Sequence, residues 1–343
     1  MKKQFIIDWI DTEAGKIPKV STTLNKADKW NDLKVRLAHN RNDYQVEPGI
    51  YAVGNPDTDS IVLVSANYKL SFDVLRKELN GLDAWILVLD TKGINVWCAA
   101  GKGTFGTNEL VNRIKTTQLD KIVNHKKVIV PQLGATGVAA HTVKKLSKFS
   151  VIYGPVRASD IRPFLKANMH ATPEMRQVRF SFYDRLILVP VEVIVSFKYL
   201  VLFIAVFFIL GGLNNNGYSI DIIFDEGIHS IINLVFAYMA GAILGPILLP
   251  WLPARSFSLK GFYTGIILFV ISYLCGYTGN NLFEIIAWLS LIASISSFLT
   301  MNFTGASTYT SPSGVKKEMR IAVPLQIAAS VIGIAFWITG RFV

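Results

Sequence analysis

Five long apolar stretches in the second half of the sequence set the strongest constraint on the fold. They cover about residues 190 to 212, 228 to 250, 260 to 278, 281 to 301 and 321 to 340, and each is close to the ~20 residues that a helix needs to cross a bilayer. Residues 190–343 contain only seven Lys or Arg and six Asp or Glu, whereas residues 1–189 contain 28 and 18. The chain is therefore predicted to be a soluble domain, residues 1–189, followed by a five-span transmembrane domain, residues 190–343.

Basic residues between the spans predict the orientation. Arg255 and Lys260 lie between the second and third spans, and three more basic residues lie between the fourth and fifth, whereas the other two connections contain neither Lys nor Arg. By the positive-inside rule, the basic loops and the N-terminal domain are cytoplasmic. The chain is thus predicted to lie in the cytoplasmic (inner) membrane, with the short C-terminal tail and Arg341 outside.

Within the predicted spans, a few residues suggest how the helices pack. Gly241 and Gly245 form a G-x-x-x-G pair and the fourth span contains "SLIASISS", both suited to close helix packing. Lys198 is costly in lipid, so it is expected to face protein or to reach the membrane surface. Membrane anchoring is the simplest role for this domain, and the sequence does not decide whether it also transports a substrate.

Short Val/Ile/Leu runs alternate with helix-like segments in residues 50–170. "IVLVSA" (61–66), "AWILVLD" (84–90), "KVIVPQ" (127–132) and "FSVIYGP" (149–155) are typical of buried strands. Such runs indicate a parallel sheet covered on both faces. The predicted fold is an α/β doubly wound, Rossmann-like domain, in which ligands bind beyond the carboxyl ends of the strands.

One of the two cysteines lies in this region. Cys98, in "INVWCAA", is predicted to lie at a strand end before a glycine loop, and Cys275 lies in the third span. There is no C-x-x-C pair and no Cys/His spacing typical of zinc, so Cys98 should be a free thiol. Pattern alone favours a buried small hydrophobic role for Cys98 and a core position for Trp97. No spacing ties a histidine to Cys98 as a catalytic base.

The segment "GKGTFG", residues 101–106, matches the dinucleotide pattern G-x-G-x-x-G. Asp120 follows as a possible ribose partner, but two strand-like segments already precede the pattern, which normally opens the first βαβ unit. A Walker A loop is excluded because Gly103 follows Lys102. The net charge of +10 in residues 1–189 favours anionic lipid, an acidic protein or an anionic ligand over nucleic acid.

The stretch "NVWCAAGK", residues 95–102, resembles the signature of the mercury-methylation corrinoid protein family at all eight positions. The resemblance continues through residues 55–110, "VPQLGATGVAAH" and "VIYGPVRASDI", and it extends to the order of a soluble domain before five spans. Ser65 stands where that family usually has Thr, and Thr136 where Pro is common. The chain resembles more distantly the corrinoid domain of the corrinoid/iron-sulfur protein of acetyl-CoA synthesis, which shares Ala-Ala-Gly-Lys but not the cysteine.

This resemblance implies a corrinoid-dependent methyltransferase. Its cofactor would be a cobalamin-like corrinoid with Cys98 as a ligand to cobalt, and its product methylmercury from mercury(II). The histidine-ligand motif D-x-H-x-x-G is absent from the sequence. Implied partners are a ferredoxin-like protein with two [4Fe-4S] clusters as electron donor, and a methyl donor protein or methylated pterin pathway. The alternative is a membrane-tethered corrinoid- or nucleotide-binding module without mercury methylation activity.

The resemblance also implies roles for individual residues. Small residues would let the backbone approach the macrocycle, Lys102 would cap a helix end or meet a corrin amide, and Asn95 and Trp97 would position the segment. Ser65 and Asn67 would bind the corrinoid or orient the thiolate. The complete set of predicted cofactor-binding residues is Ser65, Asn67, Asn95, Val96, Trp97, Cys98, Ala99, Ala100, Gly101, Lys102, Gln132, Gly134, Gly154 and Arg157.

Overall fold

The computed structural model describes residues 5–37, 39, 43–306 and 312–343. The chain forms two compact units, one of Met1–Val35 and His39–Val178 and the other of Arg36–Ala38 and Arg179–Val343. The first contains a mixed α/β sheet domain, and the second contains long apolar helices.

The α/β unit is built on a seven-stranded sheet. Its strands are β1 (Ile6–Thr12), β2 (Gly15–Val20), β3 (Gly49–Val53), β4 (Ile61–Ala66), β5 (Ala84–Leu89), β6 (Lys127–Val130) and β7 (Ser150–Tyr153). Their order is β1-β2-β3-β5-β4-β6-β7. The four strands β5, β4, β6 and β7 are mutually parallel, whereas β3 is antiparallel to β5 and β1 is antiparallel to β2. The predicted parallel sheet is therefore confirmed for four strands, and the sheet as a whole is mixed.

Helices cover both faces of this sheet. They are α1 (Lys26–Arg36), α2 (Lys69–Glu78), α3 (Val96–Lys102), α4 (Thr107–Thr116), α5 (Ala140–Ser147), α6 (Ile161–Lys166) and α7 (Pro173–Arg176). Residues of α2 and α6 belong to one buried cluster, and residues of α3, α4 and α5 belong to another. All six residues of β5 are buried, as expected for a strand covered on both sides. This mixed α/β arrangement fits the Rossmann-like domain that the sequence predicts.

The order in which the parallel strands are added to the sheet changes direction between β4 and β6. β4 comes first in the chain and lies between β5 and β6, so one crossover leads to each side of it. In open sheets of this kind, the carboxyl ends of the strands beside the reversal form the ligand-binding crevice. This edge holds the residues that follow β4, β5, β6 and β7.

The predicted strand end at Cys98 is wrong, because the residue lies in helix α3. The Asn95 side chain accepts a hydrogen bond from the Cys98 N–H (2.9 Å) and caps the helix. Gly103 ends it in the left-handed conformation, with φ +82°. Gly101 is inside α3 and Gly106 precedes α4, so the glycine pattern joins two helices. It lacks the preceding strand that a dinucleotide-binding loop requires.

The second unit contains α8 (Phe182–Leu210), α9 (Ile220–Met239), a π-helical segment (Ala240–Leu244), α10 (Gly245–Leu248), α11 (Phe257–Leu274), α12 (Leu282–Asn302) and α13 (Pro312–Gly340), with two-residue strands β8 (Leu213–Asn214) and β9 (Gly217–Tyr218). Among the described residues, five helices are long and apolar enough to cross a membrane. The first begins at Phe182, earlier than predicted, because Ser181 and Asp184 form a reciprocal capping box.

Glycines and hydroxyl side chains bring three of these helices close together. A Cβ added at Gly241 would lie 2.7 Å from the Ser296 Cα, and one at Gly261 would lie 2.7 Å from the Thr300 Cβ. The Thr300 hydroxyl donates to the Gly241 carbonyl (2.9 Å) in the π-helical segment, where the regular helical bonds are interrupted. The predicted close packing around this glycine pair is confirmed.

Arg341 does not lie in a free tail. Its side chain is 5% exposed, 2.5 Å from the Glu226 carboxylate, and it also bonds Glu284. The side chain therefore joins the end of α13 to α9 and α12. Lys198, by contrast, is exposed on α8.

Candidate functional site

The loop from β5 to α3 is held by one buried amide. Asn67, immediately after β4, is 2% exposed. Its Oδ1 accepts hydrogen bonds from the Thr91 N–H (3.0 Å), the Thr91 hydroxyl (2.8 Å) and the Gly93 N–H (3.0 Å). Lys92 and Gly93 both have positive φ, +58° and +69°, so the loop turns sharply before α3. Asn67 thereby fixes the entry to the helix that contains Cys98.

A second set of contacts fixes the same loop from the other side. The Glu109 carboxylate accepts a hydrogen bond from the Asp90 N–H (2.9 Å), and Lys92 lies 2.5 Å from the Asp90 carboxylate. Burial alone would raise the pKa of the Asp90 carboxyl, but the hydrogen bonds and charge of Lys92 outweigh it and hold that pKa below its usual value. Sequence reasoning missed Glu109, whose role depends on where α4 packs.

Cys98 lies in the first turn of α3, just beyond the carboxyl end of β5. Its side chain is half-buried, and the neighbouring Trp97 is 37% exposed. Val96, Ala99 and Ala100 are buried in the core. The structure thus places the thiol at the predicted ligand edge, on a helix whose other face is anchored in the core. The expected core position of Trp97 is wrong.

The turn after β6 packs directly on α3. A Cβ at Gly137 would lie 3.1 Å from the Ala100 Cα, and a Cβ at Gly134 would overlap the Phe105 ring. Only glycine allows this approach. The structure therefore brings Gln132 and its turn beside the Cys98 helix. Gly137 and Phe105 were not among the predicted site residues, because their contact depends on tertiary packing.

Two side chains at this edge have buried polar atoms without a hydrogen-bond partner among the described residues. They are Gln132, through Oε1, and Arg157, through Nε and Nη2. Arg157 Nε has a carboxylate oxygen of Asp160 at 3.7 Å, which is beyond hydrogen-bond distance. Each unpaired buried group costs about 1–3 kcal/mol. A ligand with N–H donors for Gln132 and carbonyl or phosphate oxygens for Arg157 would remove that cost.

Other predicted site residues have contacts within the protein. The Ser65 side chain is 3% exposed, with its hydroxyl 3.4 Å from the Ala66 carbonyl. A Cβ at Gly154 would lie 2.8 Å from an Ile129 methyl group, so this glycine allows β6 and β7 to pack. Gly101 and Lys102 are exposed on α3.

One cavity of the α/β unit lies at the opposite edge of the sheet. It is lined by Asp59, Ile61, Val62, His125, Lys127, Ile129 and Met169. Ile61 begins β4 and Lys127 begins β6, so this cavity is at the amino ends of the strands. We locate the candidate site at the carboxyl edge instead, because the half-buried thiol and the unpaired polar atoms lie there.

The donor set at the candidate site suits a macrocyclic metal cofactor. Within the described residues, no three His, Cys, Asp or Glu side chains are grouped closely enough to hold a metal ion. A metal held by a corrin ring needs only one ligand from the protein, and Cys98 can supply it. Corrin side-chain amides supply both donors and acceptors, which matches Gln132 and Arg157. The residues present therefore fit a corrinoid.

Part of the chain is similar in sequence to known proteins. Residues 35–165 match the family model described as CO dehydrogenase/acetyl-CoA synthase delta subunit. The chain is 29% identical over 130 residues to the acetyl-CoA decarbonylase/synthase complex subunit gamma of Archaeoglobus fulgidus, covering 37% of this chain and 27% of that protein. The corresponding subunit of Methanopyrus kandleri is 30% identical over 128 residues, again 37% and 27%.

A third relative is named for its cofactors. The corrinoid/iron-sulfur protein large subunit of Moorella thermoacetica is 29% identical over 127 residues, covering 36% of this chain and 28% of that protein. The chain thus spans about a quarter of the length of these curated relatives. Residues 35–165, which include Cys98, thus match the CO dehydrogenase/acetyl-CoA synthase delta subunit model, and the chain is similar to acetyl-CoA decarbonylase/synthase subunits and to a corrinoid/iron-sulfur protein subunit.

Proposed function

We propose that the chain is a membrane-attached, corrinoid-dependent methyltransferase that transfers a methyl group to mercury(II). The position of Cys98 supports this proposal most directly: a half-buried thiol at the carboxyl edge of the sheet, on a helix start held by Asn95 and Asn67. Similarity to a corrinoid/iron-sulfur protein and to acetyl-CoA decarbonylase/synthase subunits supports the cofactor class. The eight-residue signature around Cys98 supports the substrate.

In this proposal each residue of the site has a separate task. Cys98 would hold the cobalt of a bound corrinoid through its thiolate, which requires loss of the thiol proton. A bound corrinoid supplies a transferable methyl group, and a thiolate ligand to its cobalt favours donation of that group with both bonding electrons to an electrophile such as mercury(II). Gln132 Oε1 would accept a hydrogen bond from a corrin amide, and Arg157 would donate to a carbonyl or phosphate oxygen. Gly101 would leave the exposed surface of α3 open to the macrocycle, whereas the buried Ala99 and Ala100 pack the helix on the core.

The proposed chemistry needs partners. Donation of a methyl group with both bonding electrons would have to be balanced by two electrons from a reductant in each turnover. Cys98 and Cys275 are too few to hold an iron-sulfur cluster. We therefore propose a ferredoxin-like protein with two [4Fe-4S] clusters as the electron donor, and a methyl donor protein or a methylated pterin pathway as the methyl source.

The location is part of the same proposal. Residues 1–189 form the cytoplasmic corrinoid-binding domain and residues 190–343 the five-span domain of the inner membrane, with the C-terminus outside. Five long apolar helices support a membrane location, and the basic connections support the orientation. A membrane-tethered corrinoid-binding module without mercury methylation is the second candidate, because the relatives support corrinoid chemistry in general. Its nucleotide-binding form loses support, since residues 101–106 begin inside helix α3 and do not directly follow a strand.

Cobalt ligation tests the proposal first. The purified full chain, loaded with cob(III)alamin, should show the absorption spectrum of thiolate-ligated cobalt. Cys98→Ala should abolish that spectrum, and the matched control Cys275→Ala should retain it. If the Cys98→Ala spectrum equals that of the unchanged chain, Cys98 is not the ligand.

Methylmercury formation in cells separates the two candidate functions. Under anaerobic conditions, cells with the unchanged chain should form methylmercury, and cells with Cys98→Ala should form none although the variant reaches the membrane. Cells that show the thiolate spectrum without any methylmercury would support the corrinoid-binding module.

A further inference from the structure

Helix α8 is the least covered of the long apolar helices. In the most apolar 18-residue segment of α8, only 6% of the residues are buried, compared with 50% in Ile220–Leu248, 44% in α11 and 50% in Leu282–Gly305. One side of α8 packs on α9, where the Tyr238 hydroxyl donates to the Val193 carbonyl and accepts from Ser196 Oγ. On the opposite side of α8, Val195 and Leu202 are 52% and 57% exposed.

Lys198 lies in the middle of that uncovered side. It is two residues from Ser196, which places it about 200° around the helix from the contact with α9. It lies eight residues after the start of the apolar stretch 190–212 and fourteen before its end, distances of roughly 12 and 21 Å along the helix axis. A lysine side chain is too short to reach a membrane surface over either distance.

The charge of Lys198 has no carboxylate partner in the part of the chain that the structure describes. The Lys198 Nζ lies over the ring of Tyr199, 4.9 Å from the ring centroid. Glu192, one turn before Ser196, lies on the side of α8 that faces α9. A lysine in the hydrocarbon of a bilayer strongly disfavours insertion unless it is paired or solvated.

We propose that the Lys198 face, defined as Ile194, Val195, Lys198, Val201 and Leu202, binds a transmembrane helix of another protein that has a carboxylate at the same depth. The four apolar side chains of this face are 44–57% exposed. Apolar contacts give little drive for association inside a bilayer, because lipid tails are equally apolar. Pairing of Lys198 with a carboxylate removes the cost of both charges and selects the partner.

A second copy of this chain fits this face poorly. Two copies inserted in the same direction and related by a twofold axis would place Lys198 opposite Lys198, and like charges repel. Glu192 cannot compensate, because it lies on the covered side of α8. A lipid phosphate also fits poorly, because the headgroups lie at the ends of the helix.

The test uses the full chain in phosphatidylcholine vesicles and labelled Leu-rich transmembrane peptides of about 23 residues. Energy transfer between dyes on the chain and the peptide reports association. A peptide with a central Asp should bind roughly tenfold more tightly than its all-Leu counterpart. Lys198→Met should remove that preference, and the control Lys317→Met, at an exposed lysine of α13, should retain it.

A charge reversal tests the pairing independently of any loss of binding that Lys198→Met causes through a change in the helix itself. Lys198→Glu should bind a central-Lys peptide in preference to the Asp peptide. Equal binding of Asp and Leu peptides to the unchanged chain would overturn the proposal. A preference for the Asp peptide that remains in Lys198→Met would also overturn it. The same holds for energy transfer between two copies of the chain that the Asp peptide cannot displace, and for peptide binding that depends on Lys198 only in vesicles containing phosphatidylglycerol.

Discussion

The two units of the chain bury charged side chains in different ways. In the α/β unit, Asp28, Lys69, Asp73 and Arg76 form a closed ring in which each cation contacts both carboxylates at 2.5–2.9 Å. In the helical unit, Arg341 contacts two carboxylates at one end of the bundle, and the packed interior uses glycine and hydroxyl groups instead.

This difference identifies what holds each unit together. The ring of charges joins α1 to α2. In the α/β unit, the packing of these two helices, which are distant in sequence, therefore depends on each buried charge having partners of opposite sign. In the helical unit, three helices approach through the backbone, and small changes in side-chain volume matter more than charge. Changes that break one kind of interaction should therefore leave the other unit intact.

The largest expected effect comes from opening the ring of charges. Arg76→Met removes one cation and leaves Asp28 and Asp73, both buried, sharing Lys69. Loss of one partner from a buried ion pair costs about 3–5 kcal/mol, so the α/β unit should unfold at lower denaturant concentration. Denaturation of the full chain in detergent, followed by circular dichroism, measures this loss. The control Lys77→Met changes a lysine on the same helix that is 62% exposed; a similar loss there would contradict the role assigned to the ring.

A smaller effect is expected in the helical unit. Gly241→Ala would place a Cβ 2.7 Å from the Ser296 Cα and the Leu299 Cβ, so α12 has to move away. Overpacking of this kind costs about 1–3 kcal/mol. The thermal stability of the purified chain should fall, while the α/β unit keeps its denaturation midpoint. Gly305→Ala serves as the control, since a Cβ at Gly305 meets nothing within 4 Å. Equal stability of the two variants would argue against backbone packing at Gly241.

Much of the sheet could be predicted from the sequence. Strands β4 to β7 are continuous apolar runs, and burial on both faces is the reason for that pattern. Strand β1 was missed because it is largely exposed, and β2 was missed because it contains Pro18, which is unfavourable in a central strand. Helix α3 was read as strand because Ile94, Val96 and Trp97 favour strands, whereas its helical state depends on the Asn95 cap.

The candidate site was predictable only in part. The sequence and its family resemblance point to Cys98 at the carboxyl edge of the sheet, and the structure places it there. The roles of Asn67 and Glu109 could not be predicted, because their partners in the β5–α3 loop come from another strand and another helix. The unpaired atoms of Gln132 and Arg157 likewise become visible only in three dimensions.

The smallest and most gradual expected effect is a dependence of the stability of the α/β unit on pH. Burial alone would raise the pKa of Asp28, but hydrogen bonds and charge from Lys69 and Arg76 hold it below its ordinary value of 3.8. Burial, together with the charge of Asp73, raises the pKa of Tyr44 above its ordinary value of 10.0. The folded state therefore binds fewer protons than the unfolded state at acid pH and more at alkaline pH.

The lowered pKa of Asp28 and the raised pKa of Tyr44 predict that stability is constant over a pH range and falls at its acid and alkaline edges. The contribution of Asp28 is complete above pH 3.8 and is lost as the pH falls through the lower pKa of the folded state. The contribution of Tyr44 is complete below pH 10.0 and is lost as the pH rises beyond that value. Denaturation midpoints measured across this range should show both edges, and Tyr44→Phe should remove the part of the alkaline edge that Tyr44 contributes while retaining the acid edge. An unchanged alkaline edge in Tyr44→Phe would mean that Tyr44 ionisation does not oppose folding. The charge of Asp73 in the ring would then have no effect on stability through Tyr44.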